Sequence, residues 1–184
     1  NEGIELVMIK LNEMGFGPQL AMRIFQTYQQ KTMEVINENP YQLIHDVTGI
    51  GFNRADELGQ KIGMGGNHPS RLSAALMFTV DSESMQNGHV YMEYDETVLA
   101  TKRLLLSSNG SSVIAENEIS DALQELLQNN ELVQEETRIY LPSLYHAEKG
   151  VAHHLMRLEK AQAKRTTFPK SEFLKALGEL EERI

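Results

Sequence analysis

Cysteine is absent from the 184 residues, which excludes a disulfide framework and thiolate metal sites and is compatible with a reducing compartment. Long apolar runs are absent as well: nothing approaches the roughly 18 consecutive apolar residues of a bilayer span, and no charged-then-apolar leader stands at the start. A cytoplasmic protein with no membrane partner is the expectation. There is no G-x-x-x-x-G-K-[ST] stretch for nucleotide phosphates and magnesium, so a self-contained NTPase is not expected. Basic charge is scarce, 17 Lys and Arg against 26 Asp and Glu for a net charge of −9, which argues at first sight against a nucleic-acid partner. The distribution changes that argument. Residues 72–147 hold three basic and twelve acidic side chains, whereas residues 40–71 hold three of each and are neutral.

What is present is a chain 41% hydrophobic, enough for one large domain or two small ones with a buried core. It begins at Asn1 and ends inside the amphipathic run "SEFLKALGELEERI", the pattern expected of a piece excised from a longer protein. Helical periodicity dominates the first half. Ile4, Val7, Met8 and Leu11 share one face and Leu20, Ile24, Phe25 and Tyr28 another. Asn39-Pro40 reads as an N-cap followed by the first position of a helix that buries Tyr41, Leu43, Ile44 and Val47.

An internal repeat carries the functional reading. "GFGPQLAMRI" at 15–24 and "GIGFNRADEL" at 49–58 align Gly15 with Gly49, Gly17 with Gly51, Ala21 with Ala55 and Ile24 with Leu58. The unit is helix, tight glycine turn, helix. It is not the G-x-G-x-x-G dinucleotide fingerprint, because a helix rather than a strand precedes it. Two glycines let such a turn take positive φ and clear side chains from its backbone amides, while the following helix adds its positive N-terminal dipole. Ile50 between the glycines should turn inward and pin the turn. The chemistry fits one phosphate oxygen pair and reads no base edge, so binding should be independent of sequence; the plain alternative is a turn that merely connects two antiparallel helices. The candidate DNA-binding residues are Gly49, Ile50, Gly51 and Asn53, with Arg54, Lys61 and Arg71 as electrostatic support. Gly15, Phe16 and Gly17 form a weaker candidate, because Pro18 removes a donor.

Further along, Gly63–Ser70 reads as a loop, Arg71–Met85 and Asp95–Leu106 as helices, and "SSNGSS" as a turn. "ISDALQELLQNN" predicts a helix burying Ile119, Leu123, Leu126 and Leu127, followed by strands at 132–134 and 138–141. Helix then hairpin suggests a winged-helix-like unit, but Asp121, Glu125, Glu131, Glu135 and Glu136 would repel phosphates, so it is read as a packing or protein-contact module. A long helix follows, broken at Thr166-Thr167-Phe168-Pro169 before a last one. His153-His154 point about 100° apart on a helix with no clear third ligand, and read as a surface pair with no metal. His89 reads as structural, and nothing resembles a nucleophile with its base.

"NPYQLIHDVTGIGFNRADELGQKIGM", "SRLSAALMFTVDSESMQNGHVYM" and "ALQELLQNNELV…IYLPSLYHAEKGVAHHLMRL" occur in this order, and together the chain from about Leu6 to Leu158 closely resembles the region preceding the motor of RecD-like (RecD/TraA family, type-2) ATP-dependent DNA helicases. The resemblance implies a mainly α chain: a tandem helix-hairpin-helix domain at 1–90, a winged-helix-like linker domain at 91–147, and helices at 148–184 leading to an absent motor. It implies a DNA-binding accessory region of a superfamily 1 helicase that unwinds in the 5′-to-3′ direction. It implies no cofactor in this piece, with ATP and Mg serving the parent, and as partners DNA and the motor domains of the same parent chain. The competing expectation is a protein-interaction or interdomain scaffold without direct DNA contact.

Overall fold

A computed structural model of the chain describes residues 2–108 and 114–162. The break at Thr166–Pro169 and the amphipathic run after it lie outside the described residues, as does most of the "SSNGSS" turn. The chain divides into two compact units, 1–144 and 145–184.

The first unit opens with α1 (Glu2–Glu13) and α2 (Pro18–Tyr28), joined by the first glycine turn. Val7, Met8 and Leu11 of α1 face the core, but Ile4 remains 40% exposed, so the stripe is buried only where α2 covers it. A 3-10 turn leads to α3 (Thr32–Glu38). The Asn39 side chain then accepts from the Tyr41 amide at 3.1 Å, the capping role expected of it, and Pro40 opens a 3-10 turn that runs into the short α4 (Leu43–Asp46). The second glycine turn and α5 (Phe52–Lys61) complete a second hairpin. Leu11, Phe16, Ala21, Ile24, Leu43, Val47, Ile50, Phe52, Ala55 and Leu58 form one apolar core between the two hairpins.

The winged-helix-like part begins with α6 (Pro69–Asn87), which ends at Gly88 in the left-handed region, φ 66°. His89 follows that cap and is exposed. Then come β1 (Met92–Glu93), α7 (Tyr94–Ser107), α8 (Glu116–Gln128), β2 (Val133–Glu135) and β3 (Arg138–Tyr140), in a three-stranded antiparallel sheet of order β1-β3-β2. Met92 pairs with Ile139, and Val133 with Tyr140. Strand β1 carries no sequence signal because it has only two residues and is defined by what it pairs with. Helix, strand, two helices and a two-stranded wing against the first strand is the winged-helix order, with α6 as its first helix. Leu72, Ala75, Leu76 and Val80 of α6 meet Val98, Leu105, Ile119 and Leu123 in the same continuous core. The wing turn holds Glu136 at φ 57°, and the Gln134 side chain donates to its carbonyl at 2.7 Å.

Helix α9 (Pro142–Gln162) runs on into the second unit, where Val151, Leu155, Met156 and Leu158 are exposed. The rings of His153 and His154 lie 6.2 Å apart at 72°, both on the surface. Among the described residues no helix is long and apolar enough to cross a membrane, and no group of three His, Asp or Glu could hold a metal ion.

Candidate nucleic-acid interface

The two glycine turns are built on one backbone plan. The first glycine of each has positive φ, 88° at Gly15 and 98° at Gly49, which reverses the chain within three residues. The middle residue points inward: Phe16 is 1% exposed and Ile50 4%, as their apolar character between two glycines predicts. The second glycine is extended and caps the next helix, Gly17 at φ −64°, ψ 160° and Gly51 at φ −95°, ψ 175°. In both, its carbonyl accepts from the amides three and four residues on: Leu20 and Ala21 at 3.0 and 2.9 Å, Arg54 and Ala55 at 3.2 and 3.3 Å.

Because a helix cannot bond its own first amides, those of Gly51, Phe52 and Asn53 have no partner within α5; Gly51 and Asn53 are exposed, whereas Phe52 is buried at 1%. The first turn offers Gly17 and Gln19, since Pro18 at the first helical position has no N–H. Neither second glycine is needed for strain relief. A Cβ on Gly17 would meet nothing within 4 Å, and one on Gly51 only the Phe78 ring at 4.0 Å. Their small size leaves the adjoining amides uncovered. Gly17, Pro18, Gln19, Leu20 and Arg23 of the first hairpin line one open groove together with Gly49 of the second. Both turns therefore border the same surface.

Gly49, Ile50, Gly51 and Asn53 sit together at the second turn, and Gly15, Phe16 and Gly17 at the first, but the three cations named from the sequence do not gather there. Arg54 leans across to the first hairpin: Nη2 donates to the Gly15 carbonyl, Nη1 pairs with Glu57 at 2.9 Å, and the guanidinium lies 5.2 Å from the centre of the Phe16 ring. Lys61 is exposed but ends α5, about 15 Å along the axis from Gly51 at 1.5 Å per residue.

Arg71 requires correction. It is 0% exposed, and its Nε and Nη2 grip the Asp56 carboxylate at 2.7 and 3.0 Å while Nη1 donates to the Gly66 carbonyl at 2.9 Å. Nη2 also reaches Ser108 Oγ at 2.9 Å. Asp56 further accepts from the Tyr41 hydroxyl and the Gln60 amide, each at 2.8 Å. Burial alone would raise the Asp56 carboxyl, but the hydrogen bonds led by Arg71 reverse that and hold it below its ordinary value. Burial and the neighbouring Asp56 push the Tyr41 hydroxyl upward, so it stays a donor. With its charge neutralised and its donors used, Arg71 cannot serve a phosphate. It ties α5 and the 63–68 loop to α6 and α7 and so holds the second hairpin against the winged-helix-like part.

The sequence reading missed Arg23. It is exposed on α2, and its Nη1 donates to the Thr48 carbonyl in the second turn at 2.8 Å. The available signal was a basic residue two positions after the shared Ala21, close to the turn. The winged-helix-like part exposes Asp121, Glu125, Glu131 and Glu136 against Arg103 and Arg138.

Residues 1–91 match the family model described as the ATP-dependent RecD2 DNA helicase HHH domain.

Proposed function

We propose, from the premise that residues 1–91 are the helix-hairpin-helix region of a RecD2-type helicase, that this chain grips the DNA backbone without regard to sequence and serves a motor outside it. The exposed Gly51 and Asn53 amides hold one phosphate, and the first turn, with Gly17 and Gln19, holds another less strongly. The observation that carries the reading is the pair of turns with the same backbone plan, both bordering one open groove, the first through Gly17 and Gln19 and the second through Gly49. The parent would bring ATP and Mg and translocate 5′ to 3′, and the winged-helix-like part that begins with α6 would join the hairpins to it.

Two phosphates give a shallow salt dependence, a slope of log K against log salt of about −2 on duplex DNA at about 0.9 per phosphate. The test is titration of labelled single- and double-stranded DNA at low salt with wild type and Gly51→Val. Val suits the extended φ, and its Cβ meets only the Phe78 ring at 4.0 Å, so the substitution puts a side chain beside the amides without backbone strain. Weaker binding with an unchanged melting curve supports the grip. Equal binding by two folded proteins would falsify it.

The acidic character of residues 72–147 favours a second role, contact with a basic protein surface through the wing. That reading gains if binding to a basic partner survives Gly51→Val and is lost on changing Glu135 and Glu136 to Gln.

A further inference from the structure

We propose that Arg23 and Arg54 are crossed positioning residues: each rises from the second helix of one hairpin and holds the turn of the other, so that both turns meet DNA as one unit. Arg23, on α2, donates to Thr48 at 2.8 Å, and Arg54, on α5, donates to the Gly15 carbonyl. Each guanidinium also lies over the positive-φ glycine that opens the opposite turn. A Cβ on Gly15 would stand 2.9 Å from Arg54 Nη2, and one on Gly49 would stand 3.2 Å from Arg23 Nη1. These two glycines are therefore required by both their backbone conformation and the arginine packed on them.

The arrangement is not a copy made by the repeat. Aligned on the shared Ala21 and Ala55, Arg23 falls opposite Glu57 and Arg54 opposite Leu20. Two unrelated positions converge on the same task because the hairpins pack with their turns side by side. Arg54 is poorly placed for direct phosphate contact, since one Nη is taken by Glu57, the other by Gly15, and the plane lies over Phe16. What it controls is the position of a carbonyl one residue before Phe16, and through it the Gly17 and Gln19 amides. Arg23 controls in the same way the segment leading into Gly49–Gly51.

The crossing gives a test with a pattern that neither a direct contact nor a general loss of stability reproduces. It rests on the phosphate-grip reading, so it is measured in two ways on the full chain. In DNA titrations at low salt, Arg54→Gln weakens binding about fivefold, the loss expected for one ordinary solvent-exposed hydrogen bond. Added to Gly17→Val, which already disables the first turn, it weakens binding no further; added to Gly51→Val it weakens binding by the full factor. Arg23→Gln behaves in reverse, silent with Gly51→Val and additive with Gly17→Val. Additivity of Arg54→Gln with both glycine variants overturns the brace and leaves the grip intact.

The second measurement needs no DNA. Amide exchange of Phe16, whose N–H bonds the Leu11 carbonyl at 3.0 Å, should quicken in Arg54→Gln and stay unchanged in Arg23→Gln. That of Ile50, bonded to Val47 at 3.3 Å, should do the opposite. If neither glycine variant alters DNA binding, the grip fails and exchange alone decides the brace. Equal exchange of both amides in all three proteins refutes it.

Discussion

Replacing Asp56 by Asn removes the charge at the centre of the buried knot and should be the most costly surface-neutral change in the first unit. The carboxylate accepts four hydrogen bonds, two from Arg71 and one each from Tyr41 and Gln60. An amide in its place keeps one acceptor oxygen and turns an NH2 toward the donors of Arg71 or Gln60. Arg71, 0% exposed, is left with an uncompensated charge. Breaking one side of a buried pair costs about 3–5 kcal/mol, which for a chain of this size lowers the melting temperature by roughly 10–15 °C. The control is Lys102→Gln. Its partner Glu116 is at a similar distance, 2.7 Å, but the pair is partly exposed, and its loss should shift melting by under about 3 °C. The assay is thermal unfolding by circular dichroism, repeated from pH 7 to pH 2. Because the folded carboxyl titrates below its unfolded value of about 4, the unfolded chain binds more protons in acid, and Asp56 stabilises fully only above that value. The gap between wild type and D56N should therefore be constant near neutrality and close as pH falls through the folded value. A D56N protein melting within 3 °C of wild type at pH 7, or a gap that persists undiminished to pH 2, refutes the assigned role.

Gly59→Ala should cost about 1–3 kcal/mol of stability, read as a lower urea midpoint, because its Cβ would stand 2.5 Å from Tyr41 Oη, a side chain held in place by Asp56. The sign is informative, since Ala is favoured over Gly by about 1 kcal/mol in an ordinary helix. Gly49→Ala should cost about 1 kcal/mol in the same assay, from a φ of 98° and from the 3.2 Å approach to Arg23. A gain in stability there would sink the argument from backbone strain.

The sequence alone determined what is local. Gly–apolar–Gly with Ala four residues after the second glycine fixed two turns, because positive φ, an inward apolar side chain and a helix start are properties of a few neighbouring residues. Asn39-Pro40 likewise fixed a cap. The periodic apolar residues of α6 and α8 marked helices whose buried faces follow from 3.6-residue spacing. Two short strand-like runs at 132–134 and 138–141 around a polar turn marked the wing.

Partnership across the chain was not legible there. Arg54, Arg71 and Lys61 look alike in sequence as cations near a turn, yet one braces the opposite hairpin, one is sealed in the core and one stands at the far end of α5. Charge type is written in the residue, but whether the charge meets solvent depends on what folds over it. Asp56, fifteen residues before Arg71, supplied a buried carboxylate that made burial of the arginine tolerable, and only the packing of α5 against α6 and α7 brought them together. Strand β1 and Arg23 escaped notice for the same reason. Two residues become a strand only beside β3, and an exposed arginine becomes a brace only when a second turn is set against its own. The sequence specified two glycine turns; tertiary packing made them neighbours on one groove and gave each an arginine from the other.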